Sequence, residues 1–243
     1  MSTKPVIVIS HGAWHKPLHY DSLIQALRNQ GYEVHCPAHA TSGGDHDDSK
    51  PDEAILTNTI ESLVAKDRDI VLVAHSYGGL PASTAVDPFL KPATGGAGHG
   101  VIAMVYLCAF LASQGECLAD LAPAKEWSSV NGKQSFVDPA KAQDAFYNDV
   151  KDQTAVDNAI RELQPQAAAS VLHKIYAEPW KKVRTVYVIC ELDNAIPVEN
   201  QEAMASKGGL IEVVRLKSGH SPWMSFPEEI VKIIVTTAEG KAL

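Results

Sequence analysis

Short, almost unbroken apolar runs punctuate the chain, and between them apolar positions recur at helical spacing. Residues 5–10, 70–74, Val101–Leu107, 183–190 and 211–216 are rich in Val, Ile and Leu, and with the shorter 32–37 they read as six strands. Residues 18–30 carry Leu18, Leu23, Ile24 and Leu27 at a helical period and stop at Gly31. Residues 52–66 repeat the pattern with Ile55, Leu56, Ile60, Leu63 and Val64, and 41–50 is a Gly-, Asp- and Ser-rich loop. Further helices are expected from 78 to 89, where Pro88 and Pro92 end the run, and over 197–206 and 227–238. Strands that are apolar throughout suit a parallel sheet covered on both faces, and their alternation with helices implies right-handed βαβ crossovers.

The stretch between the fourth and fifth strands shows no strand-like run. Residues 139–150, 154–163 and 165–175 read there as Ala-rich helices. An insertion at the carboxyl end of the fourth strand falls where open α/β sheets place their ligands. Residues 113–179 are therefore expected to form a helical cap over a single core built from 1–112 and 180–243. No internal repeat is present.

Composition narrows the class without changing the fold. The 243 residues are 45% apolar and 21% charged, the profile of a globular chain with ample core, and the formal charge is −8. No Lys/Arg cluster offers a phosphate backbone its electrostatic footing, so nucleic acid is not an expected partner. The opening Met-Ser-Thr-Lys-Pro leads into an apolar stretch too short for a secretory core, and the longest apolar run, 101–112, is well short of a membrane span. Cys36, Cys108, Cys117 and Cys190 lack metal-type spacing, and a reducing cytoplasm is the expected setting. The sequence leaves monomer and homodimer open.

The sharpest local signal is Ala74-His75-Ser76-Tyr77-Gly78-Gly79, directly after the apolar run 70–74. A tight strand-to-helix turn exposes a serine hydroxyl at the sheet edge, and bulky side chains two residues before or after would collide there. The usual G-x-S-x-G has its first Gly replaced by Ala74, which is still small. The plain alternative is that Ser76 only caps a helix. Two further features weigh against that. His11-Gly12-Ala13-Trp14 follows the first strand, where a backbone N–H from the loop complements that of Tyr77 in holding an oxyanion; Ala13 is the expected donor. Asp193 and His220 each follow a later strand, in the chain order Ser, acid, His that such hydrolases show. A serine hydroxyl needs a hydrogen-bonded base, and that base needs an acid to fix its tautomer. Glu191 is a competing acid. His75 is expected to pack or hydrogen-bond locally, and His11 to position its loop.

Two look-alikes carry less. Asp45-His46-Asp47-Asp48 reads as a solvated acidic loop rather than a metal site, because adjacent loop residues rarely converge on one ion. The glycine-rich 94–100 lacks the Lys-Ser/Thr of a phosphate loop and precedes a strand rather than a helix.

Taken together, His11-Gly-Ala-Trp-His15, Ala74-His-Ser-Tyr-Gly-Gly79, Cys190-Glu-Leu-Asp193 with Ala195-Ile-Pro197, and Ser218-Gly-His-Ser-Pro222 resemble one branch of the α/β-hydrolase superfamily. It is the branch of plant methylesterases and hydroxynitrile lyases, with small bacterial and fungal esterase-like members closest. Phe146-Tyr-Asn-Asp149 and Leu163-Gln-Pro-Gln166 resemble cap motifs of those microbial members, and the likeness spans nearly the whole chain. It implies an α/β-hydrolase fold, a Ser76/Asp193/His220 triad, oxyanion amides from Ala13 and Tyr77, and no cofactor or metal. Hydroxynitrile lyases of the branch carry a Thr where this chain has Ala13 and a Lys where it has Ser221, so the resemblance favours hydrolysis.

The expected function is a serine hydrolase that cleaves a carboxylic ester or lactone of a small, largely apolar molecule through an acyl-enzyme. Trp14, Trp127 and Phe146 are expected to line its pocket. The alternatives are a lyase or cyclase on the same scaffold, which would ignore esters, and a ligand receptor, whose binding would survive loss of Ser76.

Overall fold

A computed structural model describes residues 4–91, 98–122 and 125–243. Met1–Thr3, Pro92 and most of the glycine-rich 94–100 connection, on which readings of the sequence were placed, lie outside the described residues.

Six strands form one parallel sheet: β1 (Val6–Ser10), β2 (Val34–His35), β3 (Ile70–His75), β4 (Val101–Leu107), and after the insertion β8 (Arg184–Cys190) and β9 (Ile211–Leu216). Their order across the sheet is β2-β1-β3-β4-β8-β9. Every residue of β1 and β3 is buried. Side chains alternate between two apolar layers, as the period of a strand requires. Val6, Val8, Ile70, Leu72 and Met104 meet α2 (Lys50–Val64) and α3 (Gly79–Val86) on one face. Ile7, Ile9, Val71, Val73 and Val105 meet α1 (Asp21–Asn29) and the chain's final helix on the other. Each such side chain, moved from water to the interior, contributes about 1.5–3 kcal/mol. Helix α1 stops at Gly31, whose φ of 81° is the left-handed conformation that ends helices. Leu18, expected on that helix's apolar side, lies in a preceding 3₁₀ turn and is exposed.

Residues 113–179 are not purely helical. They contain α4 (Leu118–Leu121), α5 (Pro139–Phe146) and α6 (Gln153–Arg161), and also an antiparallel sheet of β5 (Ser128–Asn131), β6 (Gln134–Val137) and β7 (Gln166–Ala167). The β5–β6 hairpin turns on Gly132-Lys133, with Gly132 at φ 61°. Gly at the first central position suits a two-residue hairpin turn. The helix expected over 165–175 is instead β7 followed by a 3₁₀ turn, Ala168–Leu172. The chain closes with α7 (Val198–Ala205), the short α8 (Pro222–Ser225) and α9 (Pro227–Ala238).

Candidate active site

The carboxyl ends of β1, β3, β8 and β9 converge on one cavity. Parallel pairing sets Ser10 of β1 opposite Ala74 of β3, so the loop after β1 lies against the turn after β3. That contact dictates Gly78, because a Cβ there would lie 2.2 Å from the Ser10 carbonyl oxygen and 2.6 Å from that of His11. Ser76 sits in the turn at φ 53°, a conformation a residue with a Cβ holds only when its surroundings impose it. Buried Tyr77 donates its hydroxyl to Asp52 Oδ2 at 2.8 Å, and the amide and hydroxyl of Thr41 donate to the same carboxylate. The residue after Ser76 is thereby fixed from behind.

Asp193 and His220 are joined. His220 Nδ1 lies 2.8 Å from Asp193 Oδ2, with both side chains almost fully buried. Asp193 Oδ1 accepts the amides of Ala195 and Ile196 at 2.7 and 2.9 Å. Glu191 faces the other way and pairs with Arg215 on β9 at 2.8 Å. With Nδ1 committed to Asp193, Nε2 is the nitrogen that His220 offers to the cavity it lines with Ser76. No Ser76–His220 hydrogen bond is formed among the described residues; such bonds are commonly long until substrate arrives.

Ala13 and Tyr77 also line this cavity, and neither backbone amide donates to a protein acceptor among the described residues. The Ala13 loop is held on several sides. His15 Nδ1 donates to the Ala13 carbonyl at 2.8 Å, the Trp14 amide donates to Gln166 Oε1 at 3.3 Å, and the Gln164 amide donates to the Trp14 carbonyl at 2.8 Å. Gln166 also donates to Thr41 Oγ1 at 2.7 Å, which gives the Leu163–Gln166 motif its structural work. Trp14 takes φ 61°. His11 does not line the cavity. Its Nδ1 donates to the Gly12 carbonyl and its Nε2 accepts the His39 amide, both at 2.9 Å.

The cavity has a volume of about 190 Å³ and is lined mainly by apolar side chains. Trp14, Trp127 and Phe146 all reach it and pack on one another, with ring centroids 5.0–6.1 Å apart. Phe146 also lies 5.6 Å from the His220 ring. Phe110, Leu118, Val171 and Ile196 complete the apolar wall. These were not anticipated; Phe110 follows the carboxyl end of β4, and that placement alone could have flagged it.

The insertion is stitched to the acid loop. Asn148 Nδ2 donates to the Leu192 carbonyl at 2.8 Å, and Asn194 Nδ2 donates to the Asp144 carbonyl at 3.0 Å. The Tyr147 hydroxyl donates to His15 Nε2 at 2.9 Å.

Burial holds the imidazoles of His11, His15 and His75 well below the usual histidine range, and that of His39 down to about 3. They are neutral hydrogen-bonding groups. Among the described residues one cluster brings metal-ligating atoms within 4.8 Å of one another, His75, Cys108 and His220. Both ring nitrogens of His75 and the Nδ1 of His220 already have protein partners, so the cluster does not fit an ion. Asp47 and Asp48 of the acidic loop pair with Lys133 and Lys50. All four cysteines are free, and no helix of the described residues is long and apolar enough to cross a membrane.

Residues 6–233 match the alpha/beta hydrolase family. The chain belongs to this family. This alpha/beta hydrolase is 30% identical to the alpha/beta hydrolase nvfD of Aspergillus novofumigatus, over 99% of this chain and 98% of that one. It is 25% identical to methylesterase 7 of Arabidopsis thaliana, over 77% and 76% of the two chains. Among solved structures, a pyrethroid hydrolase from Sphingobium faniae JZ-2 superposes with a TM-score of 0.77 at 21% identity, over 98% of each chain. That last likeness concerns the fold. The relatives' names agree with an ester hydrolase.

Proposed function

We propose that this alpha/beta hydrolase cleaves a carboxylic ester or lactone of a small, largely apolar molecule, with Ser76 as nucleophile, His220 as general base and acid, and Asp193 as the acid that orients it. One observation carries the reading. A serine in a strained strand-to-helix turn shares an apolar cavity with a carboxylate-bound histidine and two unengaged backbone amides.

The chemistry follows from those positions. Ser76 Oγ attacks the carbonyl carbon as its proton passes to His220 Nε2, and the negative charge formed on the carbonyl oxygen is met by the Ala13 and Tyr77 amides. The imidazolium, stabilised by Asp193, then protonates the departing alcohol and leaves an acyl-Ser76. Water enters, gives a proton to His220 and attacks the acyl carbon, and His220 returns that proton to Ser76 Oγ as the acyl–oxygen bond breaks and the acid departs. The apolar wall supports an apolar acyl or alcohol group, and water excluded from such a pocket strengthens each of these charge interactions.

In this reading residues 113–179 act as a cap over a core of 1–112 and 180–243. Its support is that Leu118, Trp127, Phe146 and Val171 reach the cavity from the insertion while Ser76 and His220 reach it from the sheet. A cytoplasmic setting, with a small-molecule substrate as the partner, agrees with three buried free thiols and a net charge of −8.

The test is Ser76→Ala assayed on a panel of p-nitrophenyl esters and lactones, with fluorophosphonate labelling alongside. Loss of both turnover and labelling is expected, and undiminished turnover would overturn the assignment.

A further inference from the structure

Behind the cavity runs a buried hydrogen-bonded path that the proposed chemistry does not use. The Gly12 amide donates to Tyr20 Oη at 2.9 Å, Tyr20 Oη lies 2.6 Å from His75 Nδ1, and His75 Nε2 lies 2.8 Å from the His220 carbonyl oxygen. Tyr20 and His75 are fully buried.

The proton positions along the path follow from its ends. A carbonyl oxygen only accepts, so His75 Nε2 carries the hydrogen and Nδ1 of the neutral ring is an acceptor. Tyr20 therefore donates to Nδ1, and its oxygen is left to accept the Gly12 amide. Every donor meets one acceptor. Burial foremost, and then the neighbouring His220, hold His75 below the usual histidine range, which keeps the ring in that neutral form.

We propose that His75 and Tyr20 are positioning residues, a neutral strap that fixes the backbone of His220 against the loop carrying the Ala13 amide. The proposal rests on the reading of Ser76, His220 and Asp193 as the reacting set. Its two ends are the residue that carries the base and the residue directly before the oxyanion amide. Its middle member, His75, is the chain neighbour of the nucleophile. All three parts of the mechanism thus hang from one path.

Asp193 grips only the ring of His220. The sole other donor to the His220 carbonyl among the described residues is the Cys108 thiol at 3.3 Å, and a thiol is a weak donor. Without the strap the His220 carbonyl would keep only that weak bond, and the nearest backbone tie to another loop would be two residues away, where the Ser218 carbonyl accepts the Leu192 amide at 2.9 Å. The neutral state matters too. The His75 and His220 rings are 4.6 Å apart, and a cationic His75 would oppose the positive charge that His220 gains during attack. Gly12 belongs to the same arrangement, since a Cβ there would lie 2.8 Å from His75 Nδ1 and 3.2 Å from Ser76 Cβ.

Two measurements test the strap. Nitrogen-15 spectra of the wild type should show His75 protonated at Nε2 throughout the pH range of the folded state; an Nδ1-protonated ring, or one that titrates near neutrality, would overturn the hydrogen-bond assignment. Kinetics test the role. His75→Phe keeps an aromatic ring, somewhat larger, and removes both hydrogen bonds, and a displacement of the base by about 1 Å should lower kcat about 100-fold. KM should stay within about 3-fold, because substrate contacts are untouched. H75Q, which returns a donor toward the His220 carbonyl, should recover about 10-fold, and Tyr20→Phe should lose about 10-fold in kcat alone. A His75→Phe enzyme within about 2-fold of wild-type kcat, or a loss seen only in KM, would overturn the proposal. If His75→Phe does not fold, Tyr20→Phe decides by the same split. Failure of the esterase reading looks different, because the wild type itself would then be inert to esters and unlabelled by fluorophosphonate. The His75 spectrum still scores the strap in that case.

Discussion

His220 Nδ1 donates to Asp193 Oδ2 at 2.8 Å, while Asp193 Oδ1 is occupied by the amides of Ala195 and Ile196. The carboxylate is therefore held at both oxygens and cannot rotate away from the ring. Asp193→Asn sets these demands against each other. If the amide oxygen keeps the two backbone amides, its NH2 must donate to Nδ1, and the proton moves to Nε2, where it blocks acceptance from Ser76. We expect kcat on an activated ester to fall about 10⁴-fold with the fold retained. Steady-state kinetics together with a thermal melt checks this.

Gly78→Ala should be among the most damaging single-methyl changes in the chain. The new Cβ would meet two backbone carbonyl oxygens, at 2.2 and 2.6 Å, and backbone has no rotamer to yield. We expect about 3 kcal/mol of destabilisation, the upper end of what overpacking costs. Urea unfolding of the variant measures it directly.

Stability should fall as pH drops below neutrality. The folded-state pKa values of His11, His15, His39 and His75 lie below those of the unfolded chain, so the unfolded state binds the extra protons. Their burial costs nothing above the ordinary histidine value of about 6.5, where both states are neutral. Below it, each neutral imidazole removes about 1.4 kcal/mol per pH unit until its own folded-state pKa is reached. For His39 that lower limit is about 3. Unfolding free energies at a series of pH values should show the slope, and His39→Gln should lessen it by about one proton's worth. A flat profile between pH values of about 7 and 5 would contradict this account.

Trp127 forms edge contacts with Trp14 and Phe146 at 5.3 and 5.0 Å and reaches the cavity from the insertion. Trp127→Ala should raise KM for esters with aromatic acyl groups about 10-fold, the worth of one or two ring contacts, and leave acetyl esters nearly unchanged. Comparing the two substrate classes separates a pocket wall from a general loss of structure.

Much of this molecule was legible in its sequence because the sheet is buried on both faces. Six apolar runs gave six strands within a residue or two, except β2, where pairing holds only Val34 and His35. Ala13, Ser76, Tyr77, Asp193 and His220 were brought to one edge for the same reason, since each follows the carboxyl end of a sheet strand and position in the chain then determines position in space. The insertion resisted. Ser128–Asn131 is mostly polar and exposed and Gln134–Val137 mixes polar and apolar positions, so no apolar run marked them, and only Gly132 signalled a turn. Residues 165–175 looked helical from alanine content, yet Gln166 is buried and fully engaged with Trp14, Thr41 and Ser170, and those tertiary bonds override local propensity. Tyr20 had no signal of its own. Its partner His75 lies far along the chain, and the two meet only once β1 and β3 have paired.

The bonds from Asn148 to Leu192, from Asn194 to Asp144 and from Tyr147 to His15 bear on how substrate range can change in such a protein. A wholesale exchange of residues 113–179 for those of a relative would carry away the fastenings of the acid loop along with the pocket wall. A graft that preserves 144–149 would instead keep those fastenings and leave the exposed hairpin and single wall positions free to alter what fits.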